Sequence, residues 1–160
     1  MQTSQNGPFL NRELSLLAFN QRVLAQAEDE RLPLLERLRF LCIFSSNLDE
    51  FFEVRVAALK ESLEINSHAQ EVDGLTIAQT LSQISVRAHE LVSKQYTLLI
   101  DTLLPALAQE GICFLRRSQW NDAQRAWVRD YFVRELMPIL TPIGLDPSHP
   151  FPRLLNKSLN

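Results

Sequence analysis

The stretch Ser45-Ser46-Asn47-Leu48-Asp49-Glu50-Phe51-Phe52 lies inside a longer apolar-striped run and decides how the chain is interpreted. Small polar residues come first, then acids, then a long helical pattern, which is typical of a helix N-terminus. Either Ser46 or Asn47 is expected to accept a backbone N–H from the first turn. The acids that follow lie at capping-box distance and beside the positive end of the helix dipole. The sequence therefore predicts that a helix begins at Asn47.

The predicted helix has one apolar face that includes a single cation. Residues of this face recur at helical spacing, namely Leu48, Phe52, Val56, Leu59 and Leu63. Arg55 lies between Phe51 and Leu59 in the sequence, so its guanidinium should either extend to solvent or meet a carboxylate.

Helical patterns also precede and follow this segment. Asn11 is placed to cap a first helix, and Pro33 to begin a second that ends at Ser45. A long pattern begins at Thr76, and Pro105 is expected to kink or end it. The buried stripe expected for the first helix is Leu16, Phe19, Val23 and Ala27.

The character of the chain changes at Gly111. Residues 112–115 form a short apolar run that predicts a strand, and Ser118 is placed to cap a helix that ends near residue 136. The prediction is a mainly α protein. An antiparallel helical bundle would occupy residues 1–109, and residues 110–160 would begin a second domain that contains a strand and a helix.

Composition excludes several classes of protein. The chain is 46% hydrophobic with a net charge of −3, so it can bury a core and has no basic field that would indicate nucleic acid. Cys42 and Cys113 have apolar neighbours and are expected to be buried thiols. No apolar run approaches the ~20 residues of a membrane span, and no signal peptide is recognisable. We therefore expect a cytoplasmic setting.

Asn47 is the residue with the strongest case for a binding role. A helix start is a ready site for an anion, and the side-chain amide offers a donor and an acceptor to a base edge. The alternative is that Asn47 is a plain N-cap.

Other candidate groups are weaker. Asp49, Glu50 and Glu53 could hold a divalent metal, but acids in a first helical turn are expected for dipole reasons alone. The histidines form no visible catalytic constellation: His68, His89 and His149.

Several segments of the chain carry one resemblance, namely residues 11–15, 17–24, 33–41, 44–56, 140–143, 149–152 and 156–160. Together they resemble the bacterial polyphosphate kinases of the first family, over Asn11 to Asn160, with residues 44–56 as the most specific part. The resemblance implies that residues 110–160 are the truncated start of an α/β head domain. One departure is Leu16-Leu17, because many relatives carry a tryptophan just after the serine that corresponds to Ser15. Only a change in packing is expected from this departure.

The resemblance implies an enzyme that reversibly transfers the terminal phosphate of ATP to inorganic polyphosphate, with Mg²⁺, through a phosphorylated histidine. That histidine and the metal ligands would lie outside this chain, so His149 is not the nucleophile and no catalytic or metal residue is expected here. The asparagine of the family motif contacts the adenine end of ATP, which makes Asn47 the expected ATP-binding residue.

The same resemblance sets the expected partners. They are ATP or ADP and inorganic polyphosphate, with a homo-oligomer for the full-length enzyme and peripheral attachment to the inner membrane face left open. The 160-residue chain alone is expected to have no kinase activity. Two alternatives stay open: a non-catalytic helical interaction or oligomerisation module, and a domain that grips polyphosphate rather than ATP.

Overall fold

The computed structural model describes residues 9–66 and 73–154. Over these ranges the chain forms four long helical segments, which confirms that the protein is mainly α. By its internal contacts the chain divides after Phe114 into two compact units. The segments are α1 (Arg12–Glu28); α2 (Leu34–Glu50, the π-helical turn Phe51–Val56, and Ala57–Ile65); α3 (Ile77–Thr97, the π-helical turn Leu98–Leu103, and Leu104–Gln109); and α4 (Asp122–Tyr131, the π-helical turn Phe132–Leu136, and the 3₁₀ turn Met137–Ile139).

Helices α1, α2 and α3 form the first unit as an antiparallel bundle. Helix α1 packs against both Leu34–Glu50 and Ile77–Thr97. The end of α2, Ala57–Ile65, packs on the start of α3, whereas the start of α2 packs on Leu98–Leu103, so these two helices run in opposite directions. The most deeply buried side chains of this core are Leu17, Leu24, Phe44, Ile84, Leu103 and Leu107.

Helix α1 begins as predicted but buries a different face. The Asn11 side chain accepts the backbone N–H of Leu14 at 2.9 Å. The expected stripe is wrong in part, because Leu16 and Phe19 keep 39% and 51% of their surface exposed. Two polar residues, Glu13 and Asn20, lie on the core face and interrupt the apolar periodicity of that face in the sequence. The buried residues of α1 are Glu13, Leu17, Asn20, Leu24 and Ala27.

The turn between α1 and α2 is held by charged groups. The Arg31 side chain donates to Asp29 at 2.6 Å, and this hydrogen bond holds the pKa of the Asp29 carboxyl at about 2. Arg37 is buried, and its Nε donates to the Ala27 carbonyl at 2.9 Å in the last turn of α1. A cation at this end of a helix satisfies an orphan carbonyl and opposes the helix dipole.

Helix α2 continues through the place where the sequence predicted a break. Ser45 and Ser46 are helical, so no helix begins at Asn47 and the predicted N-cap is wrong. Serine has only a modest penalty inside a helix, whereas burial of a continuous apolar stripe contributes about 1.5–3 kcal/mol for each large side chain. That stripe crosses the serines without interruption and consists of Leu41, Phe44, Leu48 and Phe51.

The π-helical turn of α2 shifts this stripe by one residue. Phe51 and Val56 are both buried although they are five residues apart, where an α-helix would return after three or four. A turn of i→i+5 type holds an extra residue and so keeps both side chains on the core face. Phe52, which the sequence analysis placed in the stripe, is 41% exposed for the same reason.

Helix α3 begins at the predicted residue. The Thr76 side chain and Gln79 form a capping box, in which the Thr76 backbone N–H donates to Gln79 Oε1 at 2.9 Å. Pro105 does not end the helix, which continues to Gln109. The π-helical turn that precedes Pro105 accommodates the hydrogen bond that a proline cannot donate.

The structure differs from three other sequence predictions. Residues 112–115 are irregular, so the expected strand is absent from this part of the described chain. The α4 helix is capped by Asn121, whose side chain accepts the Gln124 N–H at 2.8 Å, and not by Ser118. Cys42 and Cys113 are both exposed, because Leu41 takes the core position beside the first and the second lies in irregular chain.

Within residues 9–66 and 73–154, no helix combines the length and the apolar character that crossing a bilayer requires.

Candidate functional site

A groove of about 260 Å³ opens on the first unit between α1 and α2. Its walls are largely apolar, and two amides and two charged groups interrupt them. Three apolar wall residues, Leu16, Phe19 and Val54, stay 39%, 51% and 57% exposed because they face this groove or its rim. The lining is completed by Leu17, Asn20, Asn47, Glu50, Phe51 and Arg55.

Asn47 lies on the α2 wall of the groove and is half-buried. Its Nδ2 donates to Oδ1 of Asn20 at 3.2 Å, and Nδ2 of Asn20 donates in turn to the backbone carbonyl of Phe44 at 3.0 Å. Among the described residues, Oδ1 of Asn47 has no hydrogen-bond partner, yet it is not one of the buried unsatisfied atoms. It is therefore not fully buried, and the amide keeps one acceptor and one N–H without a partner among the described residues.

Arg55 borders the same groove one helical turn beyond Phe51. Its Nη2 forms an ion pair with Oε1 of Glu13, which is 4% exposed on α1. This pair confirms the expectation that Arg55 would meet a carboxylate. Its Nε is buried and has no partner in the part of the chain that the structure describes. The pair thus fixes one end of the groove by joining α1 to α2.

The arrangement suits a flat, mostly apolar ring with polar edges. A volume near 260 Å³ lies just under the ~300–1,000 Å³ of common small-molecule sites, so a nucleobase fits better than a whole nucleotide. Apolar walls bury the faces of such a ring, and an amide with one free donor and one free acceptor matches the edge of adenine.

The acidic residues next to Asn47 do not assemble into a metal site. Glu50 lines the groove, whereas Asp49 and Glu53 are exposed on other faces of α2. No group of three or more metal-ligating side chains occurs within residues 9–66 and 73–154.

Two of the three histidines lie within the described residues, one in each unit. His68 lies outside the described residues, and Nδ1 of the exposed His89 lies 2.7 Å from the Ser85 carbonyl. His149 lies 3.4 Å from Asp146 in an exposed turn of the second unit. The Asp146 pKa is lowered, chiefly because the Ser148 backbone N–H donates to it, so these polar groups stabilise a local turn.

The comparisons with known proteins agree with one another. Residues 9–115 match the model of the polyphosphate kinase N-terminal domain, and residues 123–160 match that of the polyphosphate kinase middle domain. The chain belongs to the polyphosphate kinase family. This membership confirms the resemblance that the sequence motifs carry.

Individual relatives give the same result. Polyphosphate kinases of Burkholderia vietnamiensis and Burkholderia multivorans are 61% and 60% identical to the chain over 153 residues, which is 96% of this chain. The crystal structure of polyphosphate kinase from Porphyromonas gingivalis is 34% identical, with a TM-score of 0.66 over 91% of this chain and 20% of that one. The chain spans about a fifth of the length of these relatives.

Sequence reasoning missed most of the residues that surround Asn47. Leu16 and Phe19 were assigned to the core, and Asn20 was not singled out. Leu16 is also the position of the departure from the family motif, and it forms part of the groove wall. The sequence did contain a signal for these groove residues. Leu16 and Phe19 form a second apolar stripe on α1, beside the buried stripe that contains Leu17 and Leu24.

Proposed function

We propose that this chain supplies the adenine-binding surface of a polyphosphate kinase, an enzyme that transfers the terminal phosphate of ATP to inorganic polyphosphate. The observation that carries the proposal is Asn47, which presents a free amide acceptor beside an apolar groove. The phosphorylated histidine and the Mg²⁺ ligands belong to parts of the family enzyme that this chain does not include. Accordingly, the chain alone has no kinase activity.

The groove favours a base over a phosphate chain. The cation on its lining, Arg55, is already paired with Glu13, and Glu50 adds a negative charge. A polyanion would meet no unpaired cluster of cations there. Recognition in this groove therefore depends on apolar contact and on the Asn47 amide, which is the chemistry that suits adenine.

The alternative that the first unit grips polyphosphate has less support. A larger groove of about 540 Å³ between α1 and α3 contains Arg87 and Lys94. Lys94 is paired with Glu28 at 2.9 Å, and Arg87 donates to Gln21 at 3.0 Å. Tight binding of a polyanion needs several cations that are free to replace its counterions. Of the two cations among the described residues that line this groove, only Arg87 lacks a carboxylate partner, because Lys94 is neutralised by Glu28 whereas Gln21 is uncharged.

Replacement of Asn47 by alanine tests the proposal. The chain is first grafted onto the remainder of the Burkholderia vietnamiensis enzyme, which gives a hybrid enzyme of full length. Asn47→Ala should raise the KM for ATP by about 3- to 10-fold with little change in kcat, because one or two hydrogen bonds of ~0.5–1.5 kcal/mol are lost. Steady-state polyphosphate synthesis measures both constants.

Ser46→Ala is the matched control, because Ser46 is the exposed neighbour of Asn47 and does not line the groove. It should leave the KM for ATP unchanged. If Asn47→Ala leaves the KM unchanged while the oligomeric size of the hybrid changes, the chain is an assembly module and the nucleotide proposal is wrong.

A further inference from the structure

We propose that Asn20 is a positioning residue, which sets the orientation of the Asn47 amide so that its acceptor faces the ligand. This inference rests on the proposed function, because it concerns the same groove. Asn20 is 4% exposed and projects from α1 between the core residues Leu17 and Leu24. An apolar residue would satisfy packing at this position without the cost of burying an amide, which amounts to ~1–3 kcal/mol when it is left unpaired.

The hydrogen bonds of Asn20 determine which end of each side-chain amide, in Asn20 and in Asn47, is the oxygen and which is the nitrogen. The backbone carbonyl of Phe44 can only accept, so the group of Asn20 that faces it must be the NH₂. Oδ1 of Asn20 therefore faces Asn47, and an oxygen there can be met only by the Asn47 NH₂. The Phe44 carbonyl, whose direction is fixed by the helix, therefore orients the Asn20 amide, and Asn20 in turn orients the side chain of Asn47.

The consequence is a defined pattern of donor and acceptor in the groove. With one N–H of Asn47 held by Asn20, its remaining N–H and its free Oδ1 occupy fixed positions. In adenine, the 6-amino group is a donor and each ring nitrogen beside it is an acceptor, which is the complement of this pattern. Without Asn20, the Asn47 amide could rotate about its last torsion and present the reverse pattern as readily.

The experiment compares two nucleotides in the hybrid enzyme: ATP and the ATP analogue that lacks the 6-amino group. The ratio of their kcat/KM values is the discrimination for the amino group. We expect Asn47→Ala and Asn20→Leu to lower this ratio by the same factor, at least about threefold. The double variant should lower it no further, because both changes remove one shared interaction.

Asn20→Asp separates orientation from stability. Burial in the core favours the neutral carboxyl, whose O–H can donate to the Phe44 carbonyl while its other oxygen accepts from the Asn47 NH₂. The discrimination should therefore be retained. Urea unfolding of the 160-residue chain measures the stability of each variant independently of catalysis. Retained discrimination in Asn20→Asp, even with a lower stability, supports the positioning role.

The outcomes distinguish this inference from the proposed function. If Asn47→Ala does not change the discrimination, the nucleotide role itself is wrong. If Asn47→Ala lowers the ratio but Asn20→Leu leaves it intact while reducing stability, Asn20 has a purely structural role and the inference is overturned. Should Asn20→Leu fail to fold, loss of discrimination in a folded Asn20→Asp would overturn it equally.

Discussion

The two members of the ion pair between Glu13 and Arg55 differ in their exposure to solvent. The Glu13 side chain is 4% exposed, whereas that of Arg55 is 33% exposed and can turn toward solvent. A charge that loses its partner while it stays buried is costly, whereas one that can be rehydrated is not. The contribution of this pair to stability therefore depends on which member is removed.

Arg55→Leu should lower the free energy of unfolding by about 3 kcal/mol, because it leaves the Glu13 carboxylate buried and unpaired. Glu13→Leu should cost only ~1 kcal/mol, since the freed Arg55 can reach water. Urea unfolding of the 160-residue chain measures both, and the double variant should be more stable than Arg55→Leu alone. Equal losses for the two single variants would contradict this account.

Asn47 illustrates how far residue-level reasoning from the sequence extends. The residue type alone supplies an amide with both a donor and an acceptor, and the nucleotide role of Asn47 remains a prediction. Its local structure was predicted wrongly, because small polar residues and acids favour a helix start only when no buried stripe crosses them. The partner that orients it, Asn20, is 27 residues away, and no local pattern specifies that contact.

At the scale of elements, the π-helical turn Phe51–Val56 joins two stretches of α2 that share one core face. It also positions Phe51, Val54 and Arg55 on the groove. The turn contains one residue more than an α-helical turn would, so the two stretches stay in phase only because of that extra residue.

Deletion of Val54 should convert the π-helical turn into an α-helical one and keep the core in register. We expect a folded, cooperative chain whose free energy of unfolding falls by no more than ~2 kcal/mol, which corresponds to about 10 °C in Tm for a unit of this size.

Deletion of Ser46 is the matched control. It lies in the regular part of α2 and should rotate everything beyond it by about 100°, which breaks the core. Thermal unfolding followed by circular dichroism compares the two, and similar losses would contradict the assigned role of the turn.

For the whole molecule, burial is concentrated in the first unit. All core residues belong to α1, α2 and α3, whereas none of the described residues from Leu115 to Leu154 is buried. Large apolar side chains of α4 lie on the surface, and the stacked pair Trp127 and Tyr131, with ring centroids 5.4 Å apart, is 64% and 44% exposed. Exposed aromatic surface of this kind favours association with another apolar surface.

Hydrogen exchange should separate the two units. Amides of the buried turns of α1, α2 and α3 should exchange at least about a hundredfold more slowly than those of α4, because local opening of α4 exposes little additional apolar surface. Exchange of the intact 160-residue chain followed by mass spectrometry measures both in one sample. Equal protection in Asp122–Tyr131 and in Ile77–Thr97 would contradict this expectation.

The sequence by itself determined the helical class, the helix starts at Asn11 and Thr76, and the family. These features depend on apolar period, on capping residues and on motifs that lie close together in the chain. Only the tertiary structure decided that α2 is continuous, which face of α1 is buried and which residues surround Asn47. The reason is that the burial of a shared core outweighs the preferences of single residues, and a groove between two helices exists only once they have packed.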